Sequence, residues 1–394
     1  MTEGTAPAST ADGVASDSGQ PRRQEQEGAS SEVVEVAPGI LRMQLPIDFT
    51  GLGHVNTYAL EDRRGVAIVD PGLPGKKSWE SLEDRLSRAG IPLGRVHTVI
   101  ITHSHPDHFG GAGLLAEMTG AAIVASHQFR TWWDPDEDWN ERELEPADPS
   151  RTHLPGGTTS AEPLAHAIVG RTHTPDGKKV PPSPFGRPTP WGGKTEELPP
   201  ERRAELERNL EEALRWFRVP CPSIRLRDND PITLAEREWF GLYTPGHTND
   251  HLCLFDPTEG VLLAGDHVLP TITPHISGMI EGDPLARYVE SLDRIASFSG
   301  VKTVLPAHGQ PFGDLPRRVE EIKRHHELRL ARLAEISDSL GWATVQELSQ
   351  QLFAPRAWGS MAESETYAHL EHERLRGRAE RREVEGRLEY RITG

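Results

Sequence analysis

The stretch from Thr102 to Gly111 concentrates residue types that bind metal ions. Three histidines and an aspartate fall within six positions, directly after the apolar run 99–101. Imidazole nitrogens and carboxylate oxygens are ordinary zinc ligands, and alternating spacing lets one turn supply several of them. A His-rich surface loop is the alternative, and it is disfavoured for a His-x-His-x-Asp-His sequence at the end of a strand. The pattern therefore predicts part of a metal site, formed by His103, His105, Asp107 and His108.

Three later predicted strands also end in a histidine or an aspartate beside a glycine. These residues are His247, Asp266 and His308, and the strands that precede them are 238–243, 261–264 and 303–305. Ligands from several strand ends can converge on one metal centre. The recurrence therefore predicts that the first cluster is only half of a site.

Other polar residues near these strand ends leave two interpretations open. Asp70 ends a predicted strand at 66–69, where it could accept a hydrogen bond from a metal-bound imidazole or simply form the turn before Pro71. His267 and His275 are either substrate or proton-transfer groups near the metals or structural histidines in a proline-rich loop. His54 is interpreted as a loop residue and His251 as a core residue.

The elements that must position these residues follow a simple order. Short strands come first, and a strand–helix–strand sequence then leads into and out of the His-rich turn. The predicted strands are 33–36, 40–45, 55–60, 66–69, 96–101 and 121–125, and the predicted helices are 77–89 and 114–120.

A proline-rich and tryptophan-rich segment, 128–230, interrupts this rhythm. A loop this long in a compact domain is usually functional or disordered, and only one helix is predicted in it, at 200–217. Because four tryptophans are poor candidates for free exposure to solvent, an insertion that folds over the site as a lid is favoured, with partial disorder as the alternative. The four residues are Trp132, Trp133, Trp139 and Trp191.

Composition limits the classes of function. The formal net charge of −17 argues against broad attraction to phosphate backbones or anionic membranes. Residues 1–30 contain almost nothing large and apolar, so they are predicted to be disordered. Two cysteines cannot form a disulfide framework, and no apolar run approaches the roughly 18 residues of a transmembrane helix. A cytoplasmic location is therefore expected.

Residues 315–394 are predicted to form a second unit. Amphipathic helices at 319–340, 344–353 and 364–375 precede a hairpin at 378–392 that turns at Glu385 and Gly386. This unit contains 14 lysines and arginines against 14 aspartates and glutamates, without the basic surface expected for nucleic-acid binding. It is interpreted as a packing or homodimerisation module, with nucleic-acid contact as the alternative.

The ligand pattern resembles the metallo-β-lactamase fold superfamily, in its glyoxalase-II-like and β-lactamase-like-2 branches. The resemblance covers residues 31–314 apart from the insertion 128–230, and the C-terminal unit resembles the winged helix attached to some of these hydrolases. It implies an α/β (α+β) fold, a four-layer αββα sandwich, with a small winged-helix domain at 315–394.

The resemblance also implies roles for the candidate residues. His103, His105 and His247 would hold one metal, and Asp107, His108 and His308 the second, while Asp266 and a hydroxide would bridge them. Two zinc ions are expected, although iron and manganese accept the same ligands. Asp107, Asp266 and His267 are the candidate catalytic residues.

Fold and metal site do not settle the substrate. The leading hypothesis is hydrolysis of a small ester, thioester, lactone or amide. The alternatives are a metal-dependent nuclease or phosphodiesterase of the same fold, an iron persulfide dioxygenase-like enzyme, and a catalytically silent binding protein. The nuclease is disfavoured by the acidic charge, and the silent protein by the presence of every ligand position.

Overall fold

The computed structural model describes residues 23–49, 51–131, 157–159, 185–208 and 215–393. Two mixed sheets lie face to face in this part of the chain. The first has the strand order β1-β2-β3-β4-β5-β6-β9, and the second has the order β10-β11-β12-β13-β14. The strands of the first sheet are β1 (Val34–Ala37), β2 (Ile40–Phe49), β3 (Leu52–Asp62), β4 (Gly65–Val69), β5 (Val96–Ile100), β6 (Ala122–Ser126) and β9 (Ile224–Leu226).

The second sheet and a short separate ribbon complete the strands of the larger unit. A two-stranded ribbon joins β7 (Gly157–Thr159) to β8 (Val219–Cys221). The second sheet contains β10 (Pro231–Leu234), β11 (Arg237–Tyr243), β12 (Leu252–Asp256), β13 (Val261–Gly265) and β14 (Thr303–Pro306).

Helices cover the outer faces of both sheets. Helices α1 (Lys76–Arg88), α2 (Pro106–Phe109) and α3 (Ala112–Thr119) belong to the first half, and α4 (Pro200–Arg208) lies in the predicted insertion. Helix α5 (Pro284–Ala296) lies between β13 and β14 of the second half, and the long α6 (Leu315–Leu340) follows β14.

Three apolar layers hold this arrangement together. Side chains such as Tyr58 and Trp239 pack between the two sheets. Strands that are buried on both faces in this way have near-continuous apolar sequences. Trp79 of α1 packs on the outer face of the first sheet, and Tyr288 of α5 packs on the outer face of the second. The result is the predicted αββα sandwich, so the expected fold class is confirmed.

The topology brings several strand ends to one edge of the sandwich. Strands β4, β5 and β6 run parallel to one another, as do β13 and β14. A backbone hydrogen bond of 2.8 Å from Leu252 to Thr102 joins the two sheets at this edge. The residues after β4, β5, β11, β13 and β14 therefore share one region.

The C-terminal unit has a small core of its own. It comprises the end of α6, then β15 (Ala343–Thr344), α7 (Val345–Leu352), α8 (Ser360–Leu375), β16 (Ala379–Val384) and β17 (Arg387–Ile392). The hairpin turns at Glu385 and Gly386, whose φ angles are 51° and 74°. Helix α6 begins at Leu315, whose side chain packs in the larger unit, while Leu333 packs in the smaller. The predicted boundary at 314/315 stays a prediction, because one helix serves both cores.

The ends of the predicted insertion pack onto the rest of the chain. Strand β9 pairs in parallel with β6, so it extends the first sheet instead of belonging to a separate segment. Trp191 is buried in the core of the C-terminal unit, and its Nε1 donates to Glu363 Oε2 over 3.0 Å. Trp132, Trp133 and Trp139 lie outside the described residues, as does most of the span to which a lid was assigned.

The last residues of the predicted disordered tail are ordered, so the prediction was wrong for residues 23–30. Residues 1–22 lie outside the described residues, but residues 23–30 pack against the larger unit. The Glu25 side chain is fully buried and accepts hydrogen bonds from the backbone of Thr271 (2.8 Å) and Ile272 (3.1 Å). A polar segment can order in this way when its carboxylate satisfies buried donors that no apolar contact could satisfy.

Replacing Glu25 with Ala should destabilise the protein without changing its fold. The two backbone donors at residues 271 and 272 would lose their acceptor, at a cost of about 1–3 kcal/mol each. Chemical denaturation should show the lower free energy of unfolding. Glu32→Ala is the matched control, because Glu32 is exposed. Equal stability of the two variants would contradict the prediction.

None of the helices among the described residues combines the length and the apolarity needed to cross a membrane.

Candidate metal centre

Two groups of potential ligands meet at the common edge of the two sheets. In the described residues, each group places its ligand atoms within 4.8 Å of one another. The first group contains His103, His105, His247 and Asp266, and the second contains Asp107, His108 and His308. All seven sequence-predicted ligand positions are therefore brought together.

In the first group three imidazole nitrogens converge. His105 Nδ1 lies 3.0 Å from His103 Nε2 and 3.1 Å from His247 Nε2. Two nitrogens bound to one tetrahedral zinc ion at about 2.0–2.1 Å would be about 3.3 Å apart. Burial lowers the pKa of all three histidines, that of His105 to about 3, so the imidazoles are neutral as a metal requires.

Asp266 lies between the two groups, and its carboxylate faces both. Its Oδ2 lies 3.6 Å from His247 Nε2 and 4.0 Å from His103 Nε2, in the first group, and 3.7 Å from His108 Nε2, in the second. Its Oδ1 lies 3.2 Å from His308 Nε2, also in the second group.

The glycine before Asp266 allows the strand end to come this close. Gly265, at the end of β13, has a φ of 51°, and a Cβ there would come within 2.7 Å of a neighbouring ring nitrogen. Only glycine allows this approach of the strand end.

The second group is strongly charged. Asp107 Oδ2 lies 3.4 Å from His108 Nε2 and 3.5 Å from His308 Nε2. Burial alone would lower the pKa of both histidines, but the carboxylates of Asp107 and Asp266 outweigh it and raise the pKa of each. Burial alone would raise the pKa of Asp107, and the two imidazoles lower it instead. The pocket is thus built to hold positive charge.

Hydrogen bonds on the far side of each ring fix which nitrogen faces the centre. His247 Nδ1 donates to the carbonyl of His275 over 2.7 Å, and His308 Nδ1 donates to the carbonyl of His54 over 2.6 Å. A carbonyl can only accept, so in the neutral ring Nδ1 carries the hydrogen and Nε2 carries the lone pair that a metal ion would take. The same rule applies to His108, whose Nδ1 donates to Asp70 Oδ2 over 2.8 Å.

The donor set therefore fits cations. Among the described residues, His108 Nε2, His308 Nε2 and Asp266 Oδ1 are buried without a hydrogen-bond partner. The lone pair of an imidazole repels a carboxylate oxygen that faces it, unless a proton or a metal ion lies between the two atoms. Imidazole and carboxylate ligands whose rings donate outer hydrogen bonds to carbonyls and to a carboxylate are typical of metal sites.

Asp70 takes the supporting role that the sequence left open. Its carboxylate accepts from the backbone N–H of Thr102 (2.9 Å) and from that residue's hydroxyl (2.7 Å), as well as from His108. The Thr102 hydroxyl in turn accepts from His103 Nδ1 over 3.1 Å. One buried carboxylate therefore orients a ligand in each group.

His54 and His251 have contacts that sequence reasoning missed. His54 lies in strand β3, so its interpretation as a loop residue was wrong, and its Nε2 accepts from the Gly309 N–H over 3.1 Å. His251 is buried, as predicted, but it also stacks on His103 at 5.0 Å between ring centroids and accepts from the Asp266 N–H. Their nearness to glycine-bearing strand ends was the only sequence signal for either role.

His267 lies behind the centre, outside both ligand groups. Its side chain is fully buried, and its ring lies 5.6 Å from that of His251 and 5.1 Å from that of Tyr288, between centroids. Burial lowers its pKa to about 3. This position favours the structural interpretation of His267 over a substrate-contacting one.

Comparison with known protein families matches most of the chain. A sequence model of the family described as the metallo-beta-lactamase superfamily matches residues 50–308, a range that spans all seven ligand positions. A metallo-beta-lactamase family protein from Thermus thermophilus, known from its crystal structure, has a TM-score of 0.64 and 28% identity. That similarity covers 91% of this chain and 100% of the other.

Two relatives show different extents of similarity. Probable metallo-hydrolase YqjP of Bacillus subtilis is 22% identical over 345 residues, which cover 84% of this chain and 91% of that protein. Lactamase-like protein nscB of Neosartorya fischeri is 38% identical over 95 residues, or 24% of this chain. This chain spans only 27% of that second relative's length, so the likeness is local.

Proposed function

Because this chain belongs to the metallo-beta-lactamase superfamily and is a metal-dependent hydrolase, we propose that it uses two zinc ions to cleave a small ester, thioester, lactone or amide. The observation that carries the proposal is the meeting of two ligand groups at one carboxylate, that of Asp266. Two divalent cations bound by these groups would lower the pKa of a coordinated water and polarise the oxygen of a carbonyl substrate.

Each residue of the centre has a proposed role. His103, His105 and His247 would hold one ion, and Asp107, His108 and His308 the other, with Asp266 between them. Asp107 is the most accessible of the three members of its group, so its carboxylate is also placed to orient the attacking water. Asp107 and Asp266 are therefore the proposed catalytic carboxylates, whereas His267 is proposed to act as a packing residue.

Buried hydrogen bonds hold the ligands of the centre in place. Asn56 is fully buried, and its Nδ2 donates to the carbonyls of Pro306 and Gly309, both over 2.8 Å. These bonds hold the turn that presents His308. Ligands held by packed neighbours need little reorganisation when substrate binds, which is the main source of electrostatic catalysis.

We propose that the C-terminal unit is a winged-helix module that packs on the hydrolase unit. Its three helices, its short strand and its hairpin follow the order expected of that module. Nine of its arginines form ion pairs with glutamates of the same unit, and a paired arginine is less available to a phosphate. Examples are the pairs Arg374–Glu371, Arg378–Glu373, Arg382–Glu389 and Arg391–Glu380. This pairing favours a small-molecule substrate over the nuclease alternative.

Metal analysis combined with a substrate panel tests the function. Purified protein should contain close to two equivalents of metal per chain, mostly zinc, because each of the two groups offers at least three nitrogen or carboxylate ligands. The panel should include S-acylglutathione, acyl-CoA, lactone and β-lactam substrates, with a phosphodiester and RNA as controls. We expect the protein to hydrolyse at least one of the first four substrates and neither of the two controls. One equivalent of iron, or cleavage of the phosphodiester alone, would contradict the proposal.

A further inference from the structure

One loop of the hydrolase unit supports the metal centre from outside. It runs from residue 267 to residue 283, between β13 and α5. The carbonyl of His275, in this loop, accepts the 2.7 Å hydrogen bond from His247 Nδ1. Any displacement of the loop at residue 275 would therefore rotate a ligand of the first group.

Helix α8 of the C-terminal unit is packed directly against this loop. The Gly278 N–H donates to Ser364 Oγ over 2.9 Å, and a Cβ at Gly278 would lie 2.5 Å from the carbonyl oxygen of Ser364. Farther along, His372 Nδ1 lies 3.0 Å from both carboxylate oxygens of Asp283. The loop is thus attached to α8 at two points, and at the first of them the two backbones approach closely.

Glu365 supplies the contact nearest the metal centre. Its Oε2 lies 3.6 Å from His275 Nδ1, and its other oxygen pairs with Arg329 of α6. Only 12% of its side chain is exposed. Burial alone would raise the pKa of Glu365, but the contacts with His275 and Arg329 lower it to about 2. A negative charge is therefore held beside the imidazole of His275.

We propose that Glu365 is a positioning residue of the metal centre, contributed by the C-terminal unit. Its carboxylate holds the His275 side chain, and the His275 carbonyl holds the His247 ring in the orientation that presents Nε2 to the first group. The inference rests on the proposed metal centre, and it assigns the C-terminal unit a part in assembling that centre.

A metal site at Glu365 itself is the competing explanation. Glu365, His326 and His369 also place ligand atoms within 4.8 Å of one another. Hydrogen bonds and an ion pair already occupy most of these ligand atoms, however. His369 Nδ1 donates to the Glu365 carbonyl over 2.7 Å, so its Nε2 is free to accept from His326 Nδ1 over 3.0 Å. His326 Nε2 is buried without a hydrogen-bond partner, but Arg329 on the carboxylate and the bond from His326 Nδ1 to His369 take up the other ligand atoms, so a cation would have to displace both contacts.

Glu365→Gln in the full-length protein tests the proposal. The variant keeps the size of the side chain but removes the charge that holds His275. Chelator competition should show about tenfold weaker binding of one of the two metal equivalents, the lower end of the effect of outer hydrogen-bond partners. The visible absorption spectrum of the Co²⁺-loaded protein should change as well, because it reports ligand geometry. Glu373→Gln is the matched control: Glu373 is buried on the same helix and pairs with Arg378 instead.

A double-mutant cycle with His275→Ala separates positioning from general destabilisation. This substitution keeps the backbone carbonyl and removes the imidazole, so the two changes should not be additive in metal affinity if they act through one contact. Additive effects, or equal metal affinity and an equal Co²⁺ spectrum in Glu365→Gln and Glu373→Gln, would overturn the proposal. A third metal equivalent in the wild type that Glu365→Gln loses would also overturn it.

These readouts do not depend on the substrate. If the wild type binds two metals but hydrolyses no member of the panel, the proposed function fails while the effect on metal affinity still tests the role of Glu365. If hydrolysis is found and Glu365→Gln keeps the wild-type metal affinity, only the positioning role fails.

Discussion

Asp266→Asn should abolish hydrolysis and remove most of the bound metal. Asp266 Oδ2 lies 3.6 Å from His247 Nε2 and its Oδ1 lies 3.2 Å from His308 Nε2, so its carboxylate faces both groups. An asparagine has one oxygen, and its amide nitrogen would present hydrogens to one of the two groups. We expect kcat/KM to fall by more than the ~10²–10³-fold that the loss of a single charge-stabilising donor costs.

Metal analysis and steady-state kinetics on the best substrate of the panel check this prediction. Asp314→Asn is the control, since Asp314 caps the start of α6 by accepting from Arg317 N and asparagine caps equally well. Circular dichroism should be the same for wild type and both variants, because the Asp266 side chain serves the centre and not the cores. Two metal equivalents with wild-type activity in Asp266→Asn would refute the bridging role.

Asp70→Asn should weaken metal binding in both groups, although Asp70 is in neither. The carboxylate accepts from His108 Nδ1, from the Thr102 N–H and from the Thr102 hydroxyl. The single oxygen of asparagine cannot replace all three bonds, and the neutral amide no longer increases the basicity of His108. Loss of such an outer partner costs about 10–100-fold in metal affinity or activity.

Isothermal titration of the metal-free protein with Zn²⁺ measures this loss, and Thr102→Ser provides the control. Serine keeps both the backbone N–H and the hydroxyl that donate to Asp70, so its metal affinity should stay close to that of the wild type. The Asp70→Asn protein should also unfold at lower temperature, because a buried donor is left unpaired. An unchanged affinity for both zinc ions would show that Asp70 is only a turn residue.

The sequence by itself determined the class of fold, the family and the types of ligand. Apolar strands that end in His or Asp beside Gly are local patterns, and the order of strands and helices allowed few sheet arrangements that bring such ends together. The resemblance and the expected αββα sandwich are confirmed for this reason. The helix and strand bounds agree within a few residues, as for α8, which begins at Ser360 instead of residue 364.

Only the tertiary structure decided how these residues support one another. His54 precedes His308 by 254 positions, and Glu365 follows His275 by 90, so no local pattern joins either pair. Glu25 likewise looked like part of a disordered tail because its partners, Thr271 and Ile272, lie 246 and 247 residues away. Ligand type is a property of single side chains. Ring orientation, bridging by Asp266 and the contribution of the C-terminal helix depend on contacts that exist only once distant segments have packed.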